Sequence, residues 1–140
     1  VCSSDLTSRC VSRPDAKSAA KKQARYQKIA LQAAMQSRRA IIPDVSEIIT
    51  LEKASKMLSD FDVAIFFFEG GGKSLKEILS SPAKKIAIFT GPEGGFEERE
   101  VELLAENGAL VATLGKRILR AETAPIVALA AIMFETGNLE

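Results

Sequence analysis

The chain has 140 residues, 46% of them hydrophobic and 26% charged, which suits one domain with a sizeable core and does not suit a disordered chain. Histidine is absent and there are two cysteines, Cys2 and Cys10; this excludes Ser-His-Asp and Cys-His catalysis and leaves no set of zinc ligands, so no metal is expected. The net charge of +1 hides a division: residues 1–43 carry nine Lys or Arg against Asp5 and Asp15, and the remainder is net acidic. Such a split points to an anionic partner for the N-terminal third, nucleic acid being the commonest, or to a solvated helix face balanced by acids elsewhere. The longest apolar run, Ala124 to Phe134, contains Pro125 and falls well short of the roughly 20 residues that span a bilayer. No basic-then-apolar leader opens the sequence, and two cysteines fit a reducing compartment, so a cytoplasmic location without membrane contact is expected.

In chain order, Val1 to Leu6 have no periodicity and are expected to be without structure. From Asp15 to Arg38 strong helix formers carry an apolar stripe of Ala24, Ile29, Leu31, Ala34 and Met35, with Pro14 and Asp15 as a start signal. Ala40 to Ile42 before Pro43 reads as a short strand, and Thr50 to Leu58 as a helix. Val63 to Phe68 is apolar on both faces, as a strand covered on both sides must be. Ser74 and Glu77 have the spacing of a capping box for a helix to about Ser80. Lys85 to Thr90 is a second buried strand, Glu97 to Glu106 a helix stopped by Asn107-Gly108, and Leu110 to Leu114 a third strand. Ala121 to Thr136 closes the chain as a helix that tolerates Pro125 near its start. Strand, glycine turn and helix recur three times, which is the pattern of an α/β domain with a mostly parallel sheet and a ligand site at the carboxyl ends of its strands.

Three loops at those strand ends are candidates for chemistry. Gly70-Gly-Gly-Lys73-Ser74 resembles a phosphate cradle but lacks the leading glycine of a Walker loop, and a tight turn into a Ser74 cap explains it equally well. Gly91-Pro-Glu-Gly-Gly95 has neither Walker nor dinucleotide spacing; its glycines let backbone approach a flat ligand closely, or simply make a βα turn. Leu114-Gly-Lys-Arg-Ile-Leu-Arg-Ala-Glu-Thr-Ala124 places Arg117, Arg120 and Glu122 between a buried strand and a buried helix. Those arginines suit a phosphate or carboxylate, or Arg120 and Glu122 form a surface pair while Glu122-Thr123 caps the last helix.

The set Arg25-Tyr-Gln-Lys-Ile-Ala, Gln36-Ser-Arg-Arg39 and Pro43, then Thr90-Gly-Pro-Glu-Gly-Gly-Phe, then Leu114 to Ala124, closely resembles the RsmE family over roughly Ser8 to Asn138. That family comprises bacterial methyltransferases acting on N3 of a uridine in small-subunit ribosomal RNA. The resemblance implies a SPOUT-type α/β fold, a mostly parallel sheet flanked by helices, with a C-terminal trefoil knot, one of the rare exceptions to unknotted chains. It implies S-adenosylmethionine (SAM) in a pocket made by three knot loops at a homodimer interface. Glu69, Gly91, Glu93 and Gly94 are then expected on the ribose and methionine side, and Leu114, Gly115, Ile118 and Leu119 around the adenine. With no histidine, Glu93, Glu122 or water is the candidate base, Arg9 and Arg120 are the candidate cations for the nucleobase anion, and Arg25, Gln36 and Arg39 are expected to contact RNA. The chain departs from the family in three ways: residues 1–6 match nothing, and an N-terminal β-barrel and a first strand-helix unit are expected to be missing before a methyltransferase domain over residues 7–140. Ser8 also replaces the usual Glu, and Arg38 stands where Gly is common. A fragment of this kind is expected to be weakly active or inactive. A SAM- or nucleotide-binding module without catalysis, a SPOUT enzyme acting on another RNA, and a plain RNA-binding protein remain as alternatives.

Overall fold

The computed structural model describes residues 5–6 and 15–139. Over these the chain forms two compact units, one reaching Leu51 and the other starting at Glu52.

The first unit is built on α1 (Ala16–Gln36), with β1 (Asp5–Leu6) pairing in parallel with β2 (Ile49–Thr50). The absence of structure expected over Val1 to Leu6 is thus corrected at Asp5–Leu6, where two residues are too few to show a period and the partner is remote in sequence. Asp15 caps α1 by accepting the Ser18 N–H on Oδ1 at 2.8 Å, the contact its side chain is suited to make. At the other end Arg38 takes φ +55°, and Arg39 N–H donates to Ala34 O at 2.9 Å. A left-handed residue there favours glycine, so the arginine costs about 1 kcal/mol; this is the position at which the resemblance expects Gly. The strand expected over Ala40 to Ile42 does not form. Side-chain amides of α1 bond the following backbone in place of a ladder: Gln27 donates to Pro43 O at 3.1 Å and accepts Val45 N–H at 2.7 Å, and Gln23 donates to Val45 O at 2.9 Å.

The helix expected over Thr50 to Leu58 is divided into α2 (Leu51–Lys56) and a 3-10 turn at Leu58–Asp60. The second unit then runs β3 (Val63–Phe67), α3 (Leu75–Ile78), β4 (Ile86–Thr90), α4 (Glu98–Glu106), β5 (Leu110–Ala112) and α5 (Ala124–Glu135). The sheet order is β4-β3-β5 and every pair is parallel, as the α/β reading requires. Central β3 is buried on both faces: Ile65 and Phe67 pack with Leu75, Ala112, Ala128 and Ile132, and on the other side Phe66 meets Phe96 edge-on, ring centroids 6.1 Å apart. Each of the large side chains among them contributes roughly 1.5–3 kcal/mol. Ser74 Oγ accepts Glu77 N–H at 3.2 Å to start α3, while a reciprocal capping box joins Glu97 and Glu100 at α4. The last helix begins at Ala124 rather than Ala121, and Thr123 at its cap makes no side-chain bond to it; Arg120 O instead accepts the N–H groups of Thr123 and Ala124, both at 2.9 Å. The expected Glu122-Thr123 cap is corrected accordingly.

β5 is bonded along both edges by the same upstream stretch. Phe68 N–H donates to Ala112 O at 3.1 Å on the β3 side; on the far side Lys73 N–H donates to Val111 O at 3.0 Å and Thr113 N–H donates to Lys73 O at 3.2 Å. The chain therefore passes from one edge of β5 to the other between Phe68 and Lys73. Gly72 makes that passage possible, since a Cβ there would lie 2.7 Å from Val111 O. Gly72→Ala forces backbone against backbone and should lower unfolding free energy by about 1–3 kcal/mol, measured by urea denaturation; an unchanged midpoint would rule out the close approach.

Asp62 ties the entry of β4 to that of β3. Its Oδ2 accepts Lys84 N–H at 2.8 Å and Lys85 N–H at 2.9 Å, and the bonds from Lys85 and then Lys84 hold the carboxyl below its usual range. The folded-state value is depressed, so the bonds contribute stability above the unfolded-state value of about 3.9, and this contribution disappears as pH falls through the lower folded-state value. The stability difference between wild type and Asp62→Asn should be flat from about pH 5 to 8 and shrink below about pH 4. Denaturation series across this range provide the check.

Candidate functional site

Parallel strands direct their carboxyl ends to one side, and there the loops after β3, β4 and β5 surround a cavity of about 790 Å³. The first wall is Phe67 to Gly71, the second is drawn from Gly91 to Phe96, and the third runs from Thr113 to Ala124. The β4 loop is fixed by Gly95 N–H donating to Pro92 O at 2.9 Å and by the Phe96 ring, which is buried beneath Gly91. Gly95 has φ +69°, and a Cβ on it would stand 3.3 Å from Glu69 Oε1. Glycine there both relieves the backbone and lets the β3 and β4 walls meet. In the third wall, Thr113 Oγ1 accepts Gly115 N–H at 3.1 Å and donates to Gly115 O at 3.2 Å, closing a turn around Gly115 at φ +105°.

The lining is mixed in charge. Glu69, Glu93 and Glu122 supply carboxylates and Lys116, Arg117 and Arg120 supply cations, while Leu114, Ile118 and Leu119 are apolar. Among the described residues no ion pair joins Arg120 to Glu122, so the surface-pair reading of that couple does not hold. The cavity can take a ligand with a flat apolar part and a charged part, and it sets a carboxylate and a guanidinium on the same wall.

Of the residues singled out from sequence, Glu69, Gly91, Glu93, Leu114, Gly115, Ile118, Leu119, Arg120 and Glu122 all line this cavity. Gly94 is exposed and outside the lining. Arg25, Gln36 and Arg39 lie at exposed positions on α1 and the turn after it, in the first unit. Arg9 and both cysteines fall outside the described residues. Phe68 and Lys116 line it too, as expected of pocket loops at the strand end Phe68-Glu69 and over Leu114 to Leu119; sequence reasoning missed Phe96 and Thr113. Lys73, the cation of the imagined phosphate cradle, is bonded to β5 through its backbone, and its ammonium pairs with Glu77 at 3.7 Å.

Residues 5–133 match the family model for the RNA methyltransferase domain. The chain belongs to that family. Among family relatives, the ribosomal RNA small subunit methyltransferase E of Bacillus subtilis is 40% identical over 138 residues, covering 94% of this chain and 54% of the relative. The protein of the same name from Mesomycoplasma hyopneumoniae is 38% identical over 106 residues, or 76% of this chain and 46% of the relative. The chain thus spans about half the length of these curated relatives. Among solved structures, ribosomal RNA small subunit methyltransferase E of Neisseria gonorrhoeae bound to SAM superposes with a TM-score of 0.82 at 35% identity, over 93% of this chain and 52% of that one. A SAM-bound protein from Legionella pneumophila superposes with a TM-score of 0.88 at 29% identity, over 95% and 55%. No helix among the described residues is long and apolar enough to cross a membrane, and no group of three or more His, Cys, Asp or Glu among them could hold a metal ion.

Proposed function

We propose that this chain is the catalytic part of a SAM-dependent methyltransferase that modifies N3 of a uridine in small-subunit ribosomal RNA. The observation that carries the reading is the cavity at the carboxyl ends of three parallel strands, in a family whose solved relatives hold SAM. Its size falls in the range of roughly 300–1,000 Å³ found for small-molecule sites. Its chemistry fits the cofactor as well: main-chain groups and apolar side chains at Leu114, Gly115, Ile118 and Leu119 suit an adenine, Gly91 and Glu93 suit the ribose and methionine, and Glu69 suits a cationic group. SAM supplies an activated methyl group on a positively charged sulfur.

The residues of the chain then divide the remaining work. Uridine N3 carries a proton at neutral pH, and Glu122 or Glu93 accepts it. Arg120, on the same wall as Glu122, stabilises the negative charge that spreads over the uracil oxygens, and Arg9 is assigned as the second cation. Holding both reactants in one cavity contributes through alignment. Arg25, Gln36 and Arg39 contact RNA outside the cavity. The passage of β5 between β3 and Lys73 supports a trefoil knot, with the Gly72 crossing as its tightest point. A homodimer is supported by α5, which exposes Ile126 at 70%, Leu129 at 51% and Phe134 at 73%. The cytoplasm, where ribosomal RNA is made and modified, is the proposed location, and the remaining half of the relatives' length is assigned to RNA recognition.

Calorimetric titration of SAM into the 140-residue chain should give saturable binding near one site per protomer. Arg120→Ala should keep that affinity within about threefold and reduce methyl transfer to purified small subunits by about a hundredfold or more. Equal loss of both would make Arg120 a cofactor ligand, and no SAM binding by any length of the protein would overturn the reading. Leu129→Glu places a charge on the exposed face of α5 and should convert a dimer into a monomer by analytical ultracentrifugation. A wild-type chain that is already monomeric at tens of micromolar would remove the dimer.

A further inference from the structure

Helix α1 breaks several local rules at once. It has no acidic residue along its 21 positions, and Lys17 sits in its first turn, where the helix dipole repels a cation. Lys17, Lys21 and Arg25 follow at intervals of four, with Lys28 three further on, so each like charge stands beside the next on the helix surface. At about 100° per residue these four fall on an arc of about 80°. The face opposite is the one that packs and bonds, through Gln23, Gln27 and buried Ala34. All four cations are exposed, and none makes an ion pair with a described residue. Only Lys22, on the flank, finds a partner, its Nζ 5.9 Å from the centre of the Tyr26 ring. Four cations thus occupy a ridge about 16 Å long, each neighbour about 5–6 Å from the next at Cβ, inside the Debye length of about 8 Å at physiological salt, so that their mutual repulsion is only partly screened.

We infer that this ridge of Lys17, Lys21, Arg25 and Lys28 is a docking track for the sugar-phosphate backbone of RNA. The inference rests on the reading of the protein as an RNA methyltransferase, and it goes beyond that reading in assigning a surface that grips RNA without reading its sequence. A linear row of cations, three ammonium groups and the Arg25 guanidinium, with no acid and no apolar side chain among them, matches a linear polyanion. A partner protein would need an uninterrupted run of acids at the same spacing. Backbone contacts of this type release counterions, so affinity falls with salt at a slope set by the number of phosphates neutralised. They hold the substrate in register and leave base recognition to other groups.

The test is fluorescence-anisotropy binding of a 20-nucleotide single-stranded RNA to the full chain from 50 to 300 mM salt. The triple variant Lys17→Gln, Lys21→Gln, Lys28→Gln is compared with a charge-matched control, Lys56→Gln, Lys76→Gln, Lys84→Gln. The ridge variant should bind about tenfold or more weakly at 50 mM salt, and its log–log salt slope should be shallower by about 2. The control should keep the wild-type slope, and both variants should keep the wild-type SAM affinity. A ridge variant whose slope equals that of wild type overturns the inference, as does a wild-type chain that does not bind RNA. Competition by polyglutamate as effective as by RNA of equal charge overturns the choice of RNA. Failure of the methyltransferase reading looks different: SAM binding is then absent in every protein while the RNA slopes still separate. Circular dichroism verifies that α1 persists, which removal of mutually repelling charges favours.

Discussion

Strand β5 is held on both edges by one short piece of chain that precedes it, and the rest of the second unit is arranged around that clamp. β3 provides one edge and Lys73 the other, so the loop between them has to cross β5 at close quarters. This brings Phe68, Glu69, Gly70 and Gly71 over the carboxyl end of the sheet, beside the loop that leaves β5. The third wall of the cavity comes from β4, which pairs with β3 along its full length. A cavity formed in this way needs no lid to exist, because its walls are the exits of strands already fixed in register.

The chemistry of the site follows from what those exits carry. Backbone approaches closely at glycines, apolar residues fill one side, and charged side chains of both signs line the remainder. The backbone of Arg120 is tied down: its carbonyl accepts the N–H groups of Thr123 and Ala124 where α5 begins, so the guanidinium is carried by a backbone bonded to that helix. Thr113 does the same for Gly115. The anchoring bears on the role proposed for Arg120, since a cation that stabilises developing charge works best when it need not reorganise.

Much of this was legible from the amino acids. Val63 to Phe67 was visible as a strand because residues apolar on both faces have few other places to go; Ile86 to Thr90 was visible as a strand as well, although at the sheet edge it is only half-buried and not the buried strand expected. Glycine-rich stretches marked the strand ends as the place for a ligand. Nine of the residues selected for the site line the cavity because they sit in those same strand exits. What was not legible depends on partners remote in sequence. Ala40 to Ile42 has the composition of a strand, but two glutamines of α1 bond the backbone just beyond it. Asp5–Leu6 pairs with a segment more than forty positions away. Thr113 carried no signal at all, since its function lies in a two-residue turn that only the fold reveals.

The double-edged seat of β5 also bears on the order in which the chain acquires its structure. Both edges of the seat, β3 and Lys73, are synthesised before α3, β4 and α4 have emerged, and β5 comes last of the strands. Contacts between segments so far apart slow folding, because closure entropy must be met before any bond is gained. A nascent chain holds its seat vacant until Leu110 to Ala112 arrive, exposing the flanks of Ile65 and Phe67 in the interval. The flanks of Ile65 and Phe67 that β5 covers are therefore the last part of the sheet that can be enclosed as the chain is made.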